Sequence, residues 1–283
     1  MKKTLCIVIS AVMIALFVSS CSPGSSASDG DYEYKLTENG DIEITKYKGN
    51  DKSIDIPSKL DGKNIVSIGE EAFLDNRAEK ITLPEGLKVI EDKAFYDCSF
   101  KTIDLPSTLE RIEDEAFFDC YALEEISIPH SVVYIGDNAF TNTSLQKQLK
   151  VDPNPELELG KECFAYTSME TVTVFPVKSS GGRTFASNII TEVKIADNVT
   201  KIYDEDFYNC ENLKSVYIPP NVTTIGKKAF GYYIKDIFKN GEEDGEEDSE
   251  EVITEGFKVF GAENSEAQTY ALNNNIAFEN KTK

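Results

Sequence analysis

Phenylalanine recurs along this chain at Phe73, Phe95, Phe117, Phe140, Phe164, Phe185, Phe207 and Phe230, in steps of 21 to 24 residues. A fixed period of that size constrains the fold to a solenoid. One coil is too small to bury its own apolar face, so stacked coils must share a core. Other positions keep phase with the phenylalanine. Five residues before it stand Ile68, Ile90, Ile112, Ile135, Leu159, Ser180, Ile202 and Ile225. Directly before it stand Ala72, Ala94, Ala116, Ala139, Cys163, Thr184, Asp206 and Ala229, where a small side chain lets the next coil's backbone approach.

An alternating apolar pair ends twelve residues before most of these phenylalanines: Ile81/Leu83, Ile103/Leu105, Ile126/Ile128 and Val216/Ile218. Leu149/Val151, Val172/Val174 and Val193/Ile195 are weaker copies. Period-two alternation predicts a short strand with one face buried. Pro84, Pro106, Pro129 and Pro219 close it, because proline cannot donate to a ladder. One strand per coil, always in the same direction, predicts a parallel sheet with strands about 4.7–4.9 Å apart.

The stretches Leu123–Phe140 and Leu213–Phe230 match nearly in full the pattern L-x-x-I-x-I-P-x-x-V-x-x-I-G-x-x-A-F. In this the chain resembles the BspA-like leucine-rich repeat proteins of bacteria over about residues 32–280. The resemblance implies an α/β repeat fold: a right-handed leucine-rich-repeat solenoid with two short parallel strands and one short helical turn per coil, closed by caps. The coils ending at Phe164, Phe185 and Phe207 depart from the pattern. They carry Asp152, Phe175 and Ala196 in the proline position, and Ser180 replaces isoleucine inside Ser179-Ser180-Gly181-Gly182. A bend or looped-out edge is expected there, read as drift in a tolerant coil, with a binding loop as the alternative.

Residues 1–20 read as a lipoprotein signal peptide: Lys2 and Lys3, then an apolar run from Leu5 to Val18 that is short for a membrane span. Val18-Ser19-Ser20-Cys21 looks like a bacterial lipobox, so Cys21 is the expected lipidation site and membrane anchor, with two or three acyl chains. Residues 21–30 read as a flexible polar tether and 31–283 as one solenoid domain. Within it, 31–50 is an N-cap hairpin turning at Asn39-Gly40, 51–230 the repeats, 231–254 an acidic insertion, and 255–283 a C-cap. The C-cap is expected to hold a helix from Ser265 to Leu272 and a strand at Ile276–Phe278, with Asn280–Lys283 frayed. The insertion contains GEEDGEEDSEE, eight acids and no base, and reads as a solvated loop. Clustered carboxylates suit calcium, but the spacing lacks the EF-hand pattern.

The net charge is −21, and removing those eight acids still leaves −13. That argues against nucleic-acid partners and against direct attraction to anionic lipid. His130 is the single histidine and reads as a loop residue. Cys98, Cys120 and Cys210 each lie three residues after a phenylalanine, and Cys163 takes the alanine position. They read as small buried hydrophobes. Cys98 and Cys120 are near enough for a bridge, although parallel side chains disfavour one, while Cys120 and Cys210 would lie about 19 Å apart.

Catalytic signatures are lacking: GxSxG, HExxH, a P-loop and a dinucleotide turn are all missing. The chain therefore reads as a non-enzyme without cofactor or metal. Solenoids present long regular faces. The outward strand positions Lys80, Thr82, Thr102, Asp104, Glu125, Ser127, Gln148, Lys150, Thr171, Thr173, Glu192, Lys194, Ser215 and Tyr217 form the candidate binding face. It is polar and suits a protein or glycan ligand. The resemblance implies adhesion to host or neighbouring cells by a monomeric lipoprotein at the cell surface or outer membrane. A structural envelope lipoprotein with no host ligand is the alternative.

Overall fold

The computed structural model describes residues 26–146, 148–152, 154–237 and 248–281. Each coil lays down two short strands and a turn, and each of the three stacks on its counterpart in the next coil. The first row runs Ser53–Asp55, Lys80–Thr82, Ile103–Asp104, Glu125–Ile128, Gln148–Val151, Thr171–Val174, Glu192–Ile195, Ser215–Tyr217, Lys258–Gly261 and Ala277–Asn280. Pairing along it is parallel, with Ile81 beside Ile103, Ile126 beside Leu149, and Val216 beside Val259. The second row runs from Lys63–Ile68 through Val89–Ile90, Arg111–Ile112, Tyr134–Ile135 and Glu158–Leu159 to Ser179–Ser180. Lys201–Ile202 and Thr224–Ile225 continue it as a separate pair.

The third row corrects an expectation. Among the described residues the only α-helix is Glu266–Asn273, and no repeat coil contains a helical turn. Around Phe73 the N–H groups alternate in direction. Those of Glu71, Phe73 and Asp75 donate to the next coil at Asp92, Ala94 and Tyr96, over 3.2, 2.9 and 2.9 Å, while those of Ala72, Leu74 and Asn76 turn back three residues. A helix would commit every N–H to its own segment and leave none for the neighbour. The alternation needs left-handed residues at Glu71 and Asp75, with φ of 55° and 58°, and it repeats at Lys93 and Asp97 and at Glu115 and Asp119. Short polar side chains tolerate that region best. The position two after the phenylalanine is accordingly Asp75, Asp97, Asp119, Asn142 and Asn209 in five coils.

The phenylalanine rings form one continuous stack through the core, with centroids 4.9–5.9 Å apart from Phe73 to Phe230. That spacing is close to the strand spacing, so the same coil pitch serves both. Tyr47 extends the stack at the N-terminal end, 5.3 Å from Phe73. Tyr270 closes the other end edge-on to Phe230 at 6.3 Å. Its hydroxyl accepts from the Phe230 N–H and donates to the Phe230 carbonyl, each over 2.9 Å. In earlier coils that N–H is taken by the next coil, as Phe207 is by Ala229, so one side chain replaces the missing neighbour.

The N-terminal hairpin forms as expected, Tyr32–Leu36 against Ile42–Tyr47, with Gly40 at φ 81° in the turn. The tether reading ran through Gly30, but Ser26–Asp29 is a strand antiparallel to Tyr32–Leu36, and Ala27 packs on the core edge. Residues 21–25 of that stretch, and residues 1–20, read as a signal peptide, lie outside the described residues. The insertion is also more ordered than a loop. Tyr232–Ile237 pairs antiparallel with Asp248–Ile253, and its acidic tip lies outside the described residues. Glu251 fixes this hairpin to the solenoid, accepting from the Tyr208 hydroxyl at 3.0 Å and pairing with Lys228 at 2.6 Å. The helix of the C-cap forms over Glu266–Asn273, and Asn280, expected to fray, is the last residue of a strand.

Cys98, Cys120, Cys163 and Cys210 are buried and free, with no Cys98–Cys120 bridge. Three of them do more than fill space. The thiols of Cys98 and Cys120 reach the carbonyls of Phe73 and Phe95 at 3.1 Å, and that of Cys210 reaches Phe185 at 3.3 Å. In the equivalent position Asn188 donates to Phe164 at 3.0 Å, so the slot selects a donor as well as a size.

Tyr270→Phe keeps the ring and removes the hydroxyl, leaving a buried N–H and C=O unpaired. We expect a loss of about 1–3 kcal/mol, read as a lower urea midpoint.

Candidate functional site

The strand face forms because alternate residues of the first row must point away from the stacked core. All the sequence-predicted positions lie on it. Lys80, Thr102, Glu125, Gln148, Thr171, Glu192 and Ser215 follow one column, and Thr82, Asp104, Ser127, Lys150, Thr173, Lys194 and Tyr217 the other. Tyr217 is half-buried, and the rest are exposed apart from Gln148, whose side chain lies outside the described residues.

The columns are not continuous. The first row breaks into sheets of three, two, two and three strands. At the first break only Thr102 and Glu125 bridge. A shallow depression of about 230 Å³ opens there, with Ile103 and Ile126 below and Asp104, Glu125, Ser127 and Lys150 around it. Leu105 stays half-buried, whereas its counterparts Leu83 and Ile128 are buried. Two acids and one lysine give this depression a mixed rim. Farther along, Glu192 and Lys194 pair at 3.5 Å, an exposed contact of little energetic weight. At the C-terminal end Tyr217 is in register with Phe260, which Lys281 overlies at 5.3 Å. Phe260 extends the face beyond the residues that sequence reading selected. Its signal was the strand-like run at Phe257–Val259, which resumes the register after the insertion.

A second, partly exposed row was missed. The residue directly after the stacked phenylalanine is Leu74, Tyr96 and Phe118 in three successive coils. Leu74 is 46% exposed, Tyr96 and Phe118 are half-buried, and Tyr121, three residues after Phe118, is 61% exposed. Tyr96 and Phe118 stack at 5.2 Å, so they present ring edges rather than faces to solvent. Arg77 straps the first two coils by donating to the Asp97 carbonyl at 3.2 Å and to Ser99 at 3.1 Å. The most exposed large aromatics therefore lie on the turn side. His130 is exposed, and its carbonyl accepts from Asn154 at 2.8 Å. Among the described residues no cluster of histidine, cysteine and acids could hold a metal ion, and no helix is long and apolar enough to cross a membrane.

The irregular middle holds a buried polar chain. The Ser180 hydroxyl lies 2.9 Å from that of Thr184, which donates to Asp206 at 2.7 Å. The other Asp206 oxygen accepts the Tyr203 N–H at 2.8 Å. The second row of strands breaks here, between Ser179–Ser180 and Lys201–Ile202. The cavity beside the chain is about 20 Å³, room for about one water molecule. Burial pushes the Asp206 carboxyl above its ordinary value, and the hydrogen bonds offset only part of this.

Six copies of the BspA type leucine rich repeat region match over residues 46–170 and 153–237, and the chain belongs to that family. No curated protein matches the chain. Among solved structures it is similar to a leucine-rich repeat protein from Bacteroides capillosus, 28% identical over 45% of this chain and 99% of that one, with a TM-score of 0.42. A leucine rich cell surface protein from Faecalibacterium prausnitzii is 20% identical over 74% of both chains, with a TM-score of 0.48. The pneumococcal vaccine antigen PcpA is 18% identical over 92% of this chain and all of its own, with a TM-score of 0.47.

The raised Asp206 carboxyl sets a pH dependence. The folded state holds the proton more tightly than the unfolded state, so this site's contribution falls as pH rises from the ordinary carboxylate range through the raised folded value. Asp206→Asn removes that titration. Relative to the wild type, its urea midpoint should rise as the pH is raised from about 4, the ordinary carboxylate value, through the raised folded value. An unchanged difference would mean that Asp206 titrates normally.

Proposed function

We propose that this protein is a lipid-anchored binding protein displayed at the cell surface, using its strand face to hold a protein or glycan and so mediate adhesion to host or neighbouring cells. The strand face carries this reading. Within each of its short sheets it presents side chains in fixed register, and it contains a depression at the Ile103/Ile126 break. Membership of the BspA type repeat family supports a binding role over an enzymatic one. The anchor rests on the sequence: the basic start, the short apolar run and Val18-Ser19-Ser20-Cys21. In this reading the molecule acts as a monomer, held off the membrane by the residues just after Cys21.

Protease shaving of intact cells tests display. Loss of the repeat domain, with an internal lipoprotein marker preserved, is expected. Protection until the envelope is opened would overturn the adhesin reading and favour an envelope scaffold. Cys21→Ser should release a folded domain into the soluble fraction, and continued membrane attachment would refute the lipid anchor. For the face itself, Asp104→Lys combined with Glu125→Lys should abolish cell adhesion, while Tyr121→Ala on the turn side should leave it intact.

A further inference from the structure

The solenoid ends differently from the way it repeats. In the second row Ile90, Ile112, Ile135 and Ile202 are fully buried, but Ile225 in the last coil is only half-buried. Among the described residues no further strand of that row follows Thr224–Ile225. The helix Glu266–Asn273 and the base of the inserted hairpin cover the end incompletely. A cleft of about 350 Å³ remains between them, at the small end of the range for small-molecule sites, about 300–1,000 Å³.

We propose that this cleft binds one neutral sugar residue, a pyranose with vicinal hydroxyls. The side chain of Ile225 gives an apolar floor for the C–H face of a ring. The wall is held in place before any ligand arrives, since Tyr232 donates to Asn274 at 2.8 Å and Asn274 to the Tyr270 carbonyl at 2.7 Å. Lys228 is taken by Glu251. Lys227, Glu266 and Asn273 also line the cleft, and their side-chain ends make no ion pair or hydrogen bond among the described residues. They supply a cationic donor, an anionic acceptor, and an amide that does both. Hydroxyls that each donate and accept match this set, with the carboxylate taking two neighbouring ones. Lys227 and Glu266 carry opposite charges, so a ligand of either sign meets one like charge in the cleft. The inference stands apart from the strand-face reading, because the two sites share no residue.

The test is a titration of the full-length chain in detergent with methyl glycosides of glucose, galactose, mannose and N-acetylglucosamine, followed by amide NMR. Saturable shifts confined to residues 225–228 and 266–274 are expected with at least one glycoside. Glu266→Gln and Lys227→Ala should each weaken binding about tenfold or more, and Asp104→Lys on the strand face should not. The proposal is overturned if no glycoside saturates these signals or if Glu266→Gln binds as tightly as the wild type. It is equally overturned if shifts appear only on the strand face, or if glucuronate or glycine binds better than every neutral glycoside.

Discussion

The backbone hydrogen bonds that pass from each turn to the next set the pitch on which the rest of the structure depends. Every second N–H around the phenylalanine leaves its own coil, as at Phe73 to Ala94, Phe95 to Ala116 and Phe117 to Ala139. Those bonds hold successive coils at a nearly constant separation, and the rings then fall about 5 Å apart without further adjustment. The residue before each phenylalanine, alanine in five of the eight coils, has its place fixed by the same geometry: its carbonyl is the acceptor, as those of Ala94, Cys163 and Asp206 are for Phe73, Phe140 and Phe185. Left-handed residues are the conformational cost, and two places after the phenylalanine Asp or Asn takes that conformation in five coils. At the position two before the phenylalanine, Glu71, Lys93, Glu115 and Glu162 accept that conformation because donors and acceptors in two coils fix it together.

A structure made of neighbour contacts must solve its ends separately, and here the two ends differ. At the start Tyr47, the last residue of the hairpin, takes the ring position of a degenerate coil, and Tyr32 on the facing strand packs against it. At the finish the substitution is piecemeal. Tyr270 supplies the ring edge and both hydrogen-bonding partners of Phe230, Lys258–Gly261 and Ala277–Asn280 continue the first row, and the helix covers part of the second. Incomplete cover is why concavity appears there. A regular solenoid offers little enclosed space, and two depressions lie where regularity fails: at the sheet break beside Asp104 and at the C-terminal cap.

The period, the strand rows, the hairpin at Asn39-Gly40 and the capping helix were legible because each rests on local spacing that repeats. The outward positions of the strand face were legible for the same reason. What escaped depends on partners distant in sequence. The turn was expected to be helical, and only the coil-to-coil bonds show why it cannot be. The Asp or Asn two places after phenylalanine was the available signal. Ser26–Asp29 has the composition of a linker and becomes a strand because Tyr32–Leu36 offers a free edge. In the insertion, acidity obscured the pairing of Tyr233 with Val252. The depression at Ile103/Ile126 follows from strands failing to pair across one coil boundary, which no single repeat encodes.

The irregular coils between Phe164 and Phe207 show how such a structure tolerates change. Ser180 in an isoleucine position places a half-buried hydroxyl beside the core, but Thr184 lies within hydrogen-bonding distance, and Asp206 answers Thr184 one coil later. Each of these residues would be costly alone among apolar neighbours. Together they form a chain that ends on the Tyr203 N–H. The compensation runs along the stack because that is the direction in which neighbours exist. The second row of strands nevertheless breaks at this place, so polar satisfaction here has replaced one element of regular packing rather than being added to it. The break leaves the phenylalanine stack intact, at 5.9 Å between Phe164 and Phe185 and 5.4 Å between Phe185 and Phe207. The turn row holds as well, with Phe185 still donating to Asp206 and Phe207 to Ala229. The three rows are therefore not equally essential: a strand row can lapse for one coil while the turns and rings carry the solenoid across it.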